Sequence, residues 1–312
     1  MLKWNNSGND KNSGNGFYGT CCTEMDIWES NSISQAVTPH TCTTAGQYRC
    51  NGTACGDDNA DQRDAGVCDK DGGDFAPYRL GDTNFFGPDA SHTVDSSKPI
   101  TVITQFKTTD GTDTGDLSEI RRIYMQDGKV IETNPITIAG QKFDSITDEF
   151  IAVQKKWSGD TNTFADRGGL KGMGEALDRG VVLVMSLWAD YAVHMLWLDA
   201  HFPTSAPQDA PGSNRGSCAD DSGNPADLIQ NNPDATVKYG DIKFGPIGST
   251  FPSGPSPPSP PGPAPPAGGN HCVDPGSSNP TCNTCAKCCH SFIPAGADCD
   301  QCVKENCASK LL

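Results

Sequence analysis

Glu24-Met25-Asp26-Ile27-Trp28-Glu29 sets three carboxylates within six residues, between Cys21-Cys22 and the small polar run Ser30-Asn31-Ser32. In an extended strand successive side chains face opposite ways, so Glu24 and Asp26 share one face and Met25 and Ile27 the other. A regular strand would put Trp28 with the acids and turn Glu29 away. A bulge between Asp26 and Glu29 reverses this, bringing the third acid to the side of the first two and turning Trp28 inward. Carboxyls crowded in this way raise one another's pKa, which separates a proton donor from an ionised partner. A solvated acidic surface is the plainer reading. A calcium loop of the EF-hand type would need a Gly and a longer ligand series that are absent here.

The length of 312 residues fits one large all-β domain or two smaller ones. A net charge of −16 argues against nucleic acid and anionic membranes as partners, and leaves a neutral polymer unopposed. No apolar run reaches the length of a transmembrane helix, and the opening MLKWNNSGND lacks the apolar core of a signal peptide. Yet the chain has 15 Cys, with adjacent pairs at Cys21-Cys22 and Cys288-Cys289, a density that points to an oxidising compartment. The sequons Asn5-Asn6-Ser7 and Asn51-Gly52-Thr53 fit secretion. A disulfide-rich chain without a leader is expected to be the later part of a longer protein.

Outward from the acidic stretch, residues 1–20 read as loop, and 38–90 form a long irregular segment rich in Gly, Asp and Asn that carries Cys42, Cys50, Cys55 and Cys68. Strands are predicted at 100–108, 119–126 and, after the turn Asp127-Gly128, at 128–133. Helical spacing covers 145–156 and 168–179, the second ending at Gly180. Two apolar runs, Val181–Leu187 and Ala192–Leu198, flank Trp188-Ala189-Asp190-Tyr191, and a last strand pair is predicted near 235–245. Many strands, few helices and long loops imply an all-β sandwich. Residues 250–270 are a Pro/Ser/Gly linker, and 271–312 hold eight Cys, the pattern of a small disulfide scaffold. Zinc is the competing reading for Cys282, Cys285, Cys288, Cys299 and Cys302.

The run Gly19-Thr20-Cys21-Cys22-Thr23-Glu24-Met25-Asp26-Ile27-Trp28-Glu29-Ser30-Asn31-Ser32-Ile33, followed by Thr38-Pro39-His40 and Cys42, closely resembles glycoside hydrolase family 7, the cellobiohydrolases and endoglucanases. The likeness continues through Pro77–Gly81, Val184–Trp188, Met195–Asp199, Arg215–Cys218 and Ile242–Ser249, and covers nearly all of 1–249. It implies a concanavalin-like β-jelly-roll sandwich whose long loops form a glucan groove or tunnel, with retaining hydrolysis of β-1,4-glucosidic bonds and no metal or organic cofactor. Carried over by motif position, Glu24 is the nucleophile, Glu29 the general acid/base, and Asp26 the supporting acid that tunes Glu24. Retention requires one ionised and one protonated carboxyl about 5–5.5 Å apart, and the same acid activates water in the second step.

The resemblance makes Trp188 and Trp197 sugar platforms, since an indole stacks on the flat C–H face of glucose without needing a charge. His40 lies beside the leaving-group subsite, and Arg63, Asp71 and Arg215 match product-side groups that hydrogen-bond sugar hydroxyls. The loop Cys50–Cys68 is the tunnel roof of cellobiohydrolases, so cellobiose release is expected in preference to internal cleavage. The implied disulfides are Cys42–Cys68 and Cys50–Cys55. Cys21, Cys22 and Cys218 would pair with cysteines of an N-terminal part outside this chain, which then holds roughly the C-terminal three-fifths of the catalytic domain. Gly73 stands where the family often has a Cys, and the expected partner near 145 is missing too. The tail lacks the spaced aromatics of the usual cellulose-binding module. Monomeric, secreted, and partnered by cellulose alone, the protein is expected to act without membrane or nucleic acid; a degenerate, non-catalytic polysaccharide-binding protein is the alternative.

Overall fold

The computed structural model describes residues 18–56 and 60–251. Most of the predicted linker, the whole Cys-rich module and the sequon at Asn5 lie outside the described residues. The described part is mostly strand and loop with few helices. It runs β1 (Gly19–Cys21), β2 (Glu24–Ser30), β3 (Gln35–His40), β4 (Tyr48–Cys50), β5 (Phe86–Gly87), β6 (Val94–Asp95), β7 (Thr101–Thr108), β8 (Leu117–Gln126), β9 (Lys129–Glu132), β10 (Ile136–Ile138) and β11 (Gln141–Phe143). Helices α1 (Asp148–Ser158), α2 (Thr163–Asp166), α3 (Gly169–Arg179), α4 (Leu196–Asp199) and α5 (Pro225–Asn231) follow. The strands pair as β1-β4, β2-β3, β5-β6, β7-β8-β9 and β10-β11.

Local chemistry accounts for these elements. The β8–β9 hairpin turns through Asp127 and Gly128, both at positive φ, the conformation that a two-residue hairpin loop requires. Helix α1 starts where the Thr147 hydroxyl accepts the Phe150 N–H, carries Asp148 and Glu149 in its first turn and Lys155 and Lys156 in its last, and ends on left-handed Gly159. The acidic strand β2 joins β3 through an Asx turn: Asn31 Oδ1 accepts the N–H groups of Ile33 at 2.8 Å and Ser34 at 3.1 Å.

Two larger apolar clusters and a small one of Ala36, Ala76 and Leu198 form the core of the described residues. The first packs Phe150 and Ile151 of α1 and Leu170 and Met173 of α3 against Ile120 of β8, Val37 and Phe75. The second gathers Phe85, Phe86, Val94 and Tyr124. Strand β2 spans both, placing Met25 against the first and Trp28 against the second. Gly73 sits directly against the first cluster, where an added Cβ would meet Ile151 Cδ1 at 2.3 Å. The space beside Gly73 is therefore filled by Ile151.

One expectation is corrected: the predicted strand pair at 235–245 is not strand. The two apolar runs are not strands either. Val181–Leu187 is an exposed segment without regular structure, with Val182 87% exposed. Ala192–Leu198 folds as a turn and α4, because Asp190 accepts the N–H groups of Ala192, Val193 and Met195. A strand needs a neighbour to take its backbone hydrogen bonds. Among the described residues no strand pairs with 181–187, and the bond given from 235–245 is a side-chain one, from Tyr239 Oη to Ser186 O at 3.3 Å. No helix among the described residues is long and apolar enough to cross a membrane.

Candidate active site

Strands β2 and β3 pair Glu24 with His40, Asp26 with Thr38 and Glu29 with Ala36, and the register shifts between Asp26 and Glu29. That shift is the bulge read from the spacing of the acids. Met25 and Trp28, three residues apart, both face the core, while Ile27, which with Trp28 takes up the register shift, is 38% exposed. The parity change is what brings Glu29 round to Glu24 and Asp26.

His40 Nε2 lies 3.0 Å from Asp26 Oδ2. Its Nδ1 is 3.2 Å from the Asp69 carbonyl oxygen and 3.9 Å from the Asp69 carboxylate. Burial disfavours the charged ring, but the hydrogen bond and charge of Asp26, with Asp69 and Glu24 behind them, outweigh it and raise His40 to about 9. Protonated His40 thus donates from both nitrogens. Asp69 is buried, and its carboxylate accepts the Thr163 hydroxyl of α2.

Glu29 is pushed up to about 7 by burial and by the charge of Asp26, against the opposing effects of His40 and the Thr38 hydroxyl, which donates to Oε2 at 3.3 Å. Glu24 is raised by burial and then by Asp26, opposed by His40 and Lys70. At mildly acidic pH this arrangement keeps a proton on Glu29 and sets a cation beside Asp26. Glu29 can then give a proton with the His40 cation close by, which suits acid-assisted displacement at an acetal carbon.

The long loop beside the hairpin is held at several points. Cys42–Cys68 and Cys50–Cys55 are disulfides. Arg167 donates to the carbonyl oxygens of Gly66 and Asp64, and Gly66 approaches Gly56 so closely that a Cβ on it would meet the Gly56 backbone at 2.9 Å. Arg63 is paired with Asp71, Nη2 to Oδ1 at 2.7 Å. Burial raises Asp71, but the hydrogen bond and charge of Arg63 hold it below the usual carboxylate range. Gly72, at φ 68°, fits under Thr38 and His40, where a Cβ would lie 2.2 Å from Thr38 Cγ2. The Asp71 end of this loop is therefore packed against the acidic hairpin.

Arg215 and Trp197 come together: Arg215 Nη1 donates to the Trp197 carbonyl at 3.3 Å. Burial and then the charge of Arg79 lower Arg215 to about 10, while Asp74, Asp160 and Asp71 oppose them. Trp197 packs on Ala36, Ala76 and Leu198. Trp188 is not joined to the acids; it stands 54% exposed on the unpaired 181–187 segment's end. Cys21, Cys22 and Cys218 are free thiols in the described structure.

Four supporting residues escaped the reading of the sequence. Thr38 holds Glu29, Asp69 backs His40, and Asn31 binds Asp199 on α4, Nδ2 to Oδ2 at 2.6 Å, which ties the hairpin turn to Trp197. The fourth, Arg79, bridges buried Asp74 and Asp160. Asn31, Thr38 and Arg79 lie inside motifs that resemble the family, so a signal existed; it carried no partner.

The family model for Glycosyl hydrolase family 7 matches residues 1–251. The fold is similar to a family 7 cellobiohydrolase from Daphnia pulex, with 49% identity and a TM-score of 0.77 over 80% of this chain and 56% of that one. It is also similar to a cellobiohydrolase from Melanocarpus albomyces complexed with cellotetraose, with 40% identity and a TM-score of 0.72 over 80% of this chain and 55% of that one. A Humicola insolens endocellulase matches at 38% identity and a TM-score of 0.57 over 69% of this chain and 48% of that one. The chain thus spans about half the length of these proteins. With the match extending from the first residue to the end of the described structure, and with the acidic strand inside it, the chain belongs to glycosyl hydrolase family 7.

Proposed function

We propose that the protein hydrolyses β-1,4-glucosidic bonds of cellulose with retention of configuration. Glu24 attacks the anomeric carbon, Glu29 protonates the leaving oxygen and then activates water, and Asp26 with His40 sets the protonation of both acids. The observation that carries this reading is the bulged strand, which gathers three carboxyls and leaves Glu29 with a pKa of about 7. An acid with that value is still protonated where cellulose is hydrolysed under mildly acidic conditions, so it can act as donor.

Cellobiose is the favoured product. The Cys50–Cys55 bridge, the Arg167 contacts and the Arg63–Asp71 pair support a structured roof and product side rather than an open groove. The greater similarity to two cellobiohydrolases than to an endocellulase supports the same preference; endo-cleavage is the alternative. The wider jelly-roll sandwich, the sugar-platform role of Trp188 and Trp197, and the hydroxyl-binding roles of Arg63, Asp71 and Arg215 belong to this reading. So do a secreted, monomeric protein and its division into a catalytic domain at 1–249, a linker at 250–270 and a Cys-rich module at 271–312.

One observation favours a second reading. The exposed run Val181–Trp188 gives the chain an apolar, aromatic-tipped surface, which suits glycan binding without turnover. Cellobiose release from crystalline cellulose by the unmodified chain and its Glu24→Gln variant separates the two. The hydrolase reading requires release that Glu24→Gln abolishes, with binding retained. Equal binding and no release by either protein would leave only the binding reading.

A further inference from the structure

Arg122 is a charged side chain placed where an apolar one would be expected. It lies on the inward face of β8 between Ile120, which belongs to the first apolar cluster, and Tyr124, which belongs to the second. It is 4% exposed, and its Nε and Nη1 are buried with no hydrogen-bond partner in the described structure. Its guanidinium carbon stands 5.4 Å from the Trp28 ring centroid and 6.0 Å from that of Tyr124. Such contacts recover part of the cost of burying a cation, but an apolar residue of similar volume would avoid that cost. The remaining donor, Nη2, binds the carbonyl oxygen of Ile27. Ile27 lies inside the bulge, between Asp26 and Glu29. From the other side, Thr133 Oγ1 donates to the Arg122 carbonyl at 3.1 Å and fixes its backbone.

We propose that Arg122 is the positioning residue of the acidic strand: by holding the Ile27 carbonyl it keeps the bulge that sets Glu29 beside Glu24 and Asp26. Without that bond β2 can relax toward regular alternation, which turns Glu29 away and Trp28 outward. The groups that govern Glu29, namely Asp26 and Glu24 on β2 with His40 and Thr38 on β3, would then act on it from different distances. The kinetic consequence rests on the hydrolase reading, whereas the structural consequence does not.

The test uses the full chain with Arg122→Met, which keeps volume and removes the donor, and Arg122→Lys, which keeps one donor. Hydrogen exchange is followed at the amides of 26–30, with those of β7 and β8 as internal reference. Arg122→Met should exchange at least about tenfold faster at 26–30 than the unmodified chain, with the reference little changed, and Arg122→Lys should stay within about threefold. On a soluble aryl cellobioside, Arg122→Met should lose about a hundredfold in kcat with KM nearly unchanged, and its alkaline limb should move to lower pH as Glu29 leaves Asp26. Uniform loosening of both sheets, or an unaltered pH profile in an active Arg122→Met, overturns the proposal. If Arg122→Met fails to fold, Arg122→Lys decides: loss of protection at 26–30 overturns it, and retained protection with a retained pH profile supports it. An inactive unmodified chain defeats the hydrolase reading alone, since the exchange pattern still decides the positioning.

Discussion

Replacing His40 with Gln should make the chain less stable in acid and leave it almost unaffected in alkali. The ring is held between Asp26 at 3.0 Å and the Asp69 carbonyl at 3.2 Å, and its pKa rises from the ordinary 6.5 to about 9. A group whose folded pKa is raised contributes stability that is full below its unfolded value and is lost as pH climbs through the folded one. At about 1.4 kcal/mol per pH unit, the rise corresponds to about 3 kcal/mol at pH 5, about 2 kcal/mol at pH 7.5 and close to zero at pH 9.5. The side chain is 15% exposed, so solvent screening removes little of this. Gln keeps a donor toward Asp26 but no charge, and uptake of a proton by the acids would soften the loss, which makes about 3 kcal/mol a ceiling. Urea unfolding at the three pH values, followed by tryptophan fluorescence, measures the difference. A destabilisation equal at pH 5 and pH 9.5 would show that His40 contributes packing and not charge, and would refute the electrostatic account of the site.

Glu29→Gln mimics the protonated acid. Glu29 is raised from 4.5 to about 7, so the unmodified chain loses about 3 kcal/mol as pH rises across that window; the variant should match it near pH 4 and exceed its stability by about that amount at pH 8. In activity assays the same variant should lose most turnover on substrates with poor leaving groups, measured as kcat on cello-oligosaccharides. Gly73→Ala drives a methyl into Ile151 and should cost about 1–3 kcal/mol, while Ile151→Ala should cost about 2–5 kcal/mol through its cavity. Thermal melts of the double variant should show less than the sum of the two losses, because the new methyl occupies space that Ile151 vacates. Arg79→Met strands Asp74, a buried carboxylate held at about 2 by Arg79, and should cost about 3–5 kcal/mol in denaturant titrations. Adding Asp74→Asn should recover part of that loss.

Period and turn chemistry carried much of the fold. The alternation in 100–108 and the Asp127-Gly128 turn correspond to β7, β8 and β9, because a strand with one buried face repeats every two residues and a tight turn needs positive φ. The helical spacing at 145–156 and 168–179 corresponds to α1 and α3. The strand pair predicted near 235–245 was misleading for the converse reason. Apolar periodicity records a preference for burial, and pairing depends on a neighbour that the residue pattern does not name. Asp190 shows how little is needed to change the outcome, since one carboxylate accepting three N–H groups turns 192–198 into a turn and a short helix.

By itself, then, the order of residues determined the identity of the acids, the need for a bulge among them, and the family to which the chain belongs. Each depends on residue type and on spacing along one strand. Only the tertiary structure decided that Glu29 holds its proton up to about 7, since that follows from burial and from the charge of Asp26, opposed by His40 across the hairpin. It also decided what maintains the bulge. The Ile27 carbonyl is held by a guanidinium 95 residues away along the chain, and a contact of that kind exists only once β8 lies behind β2.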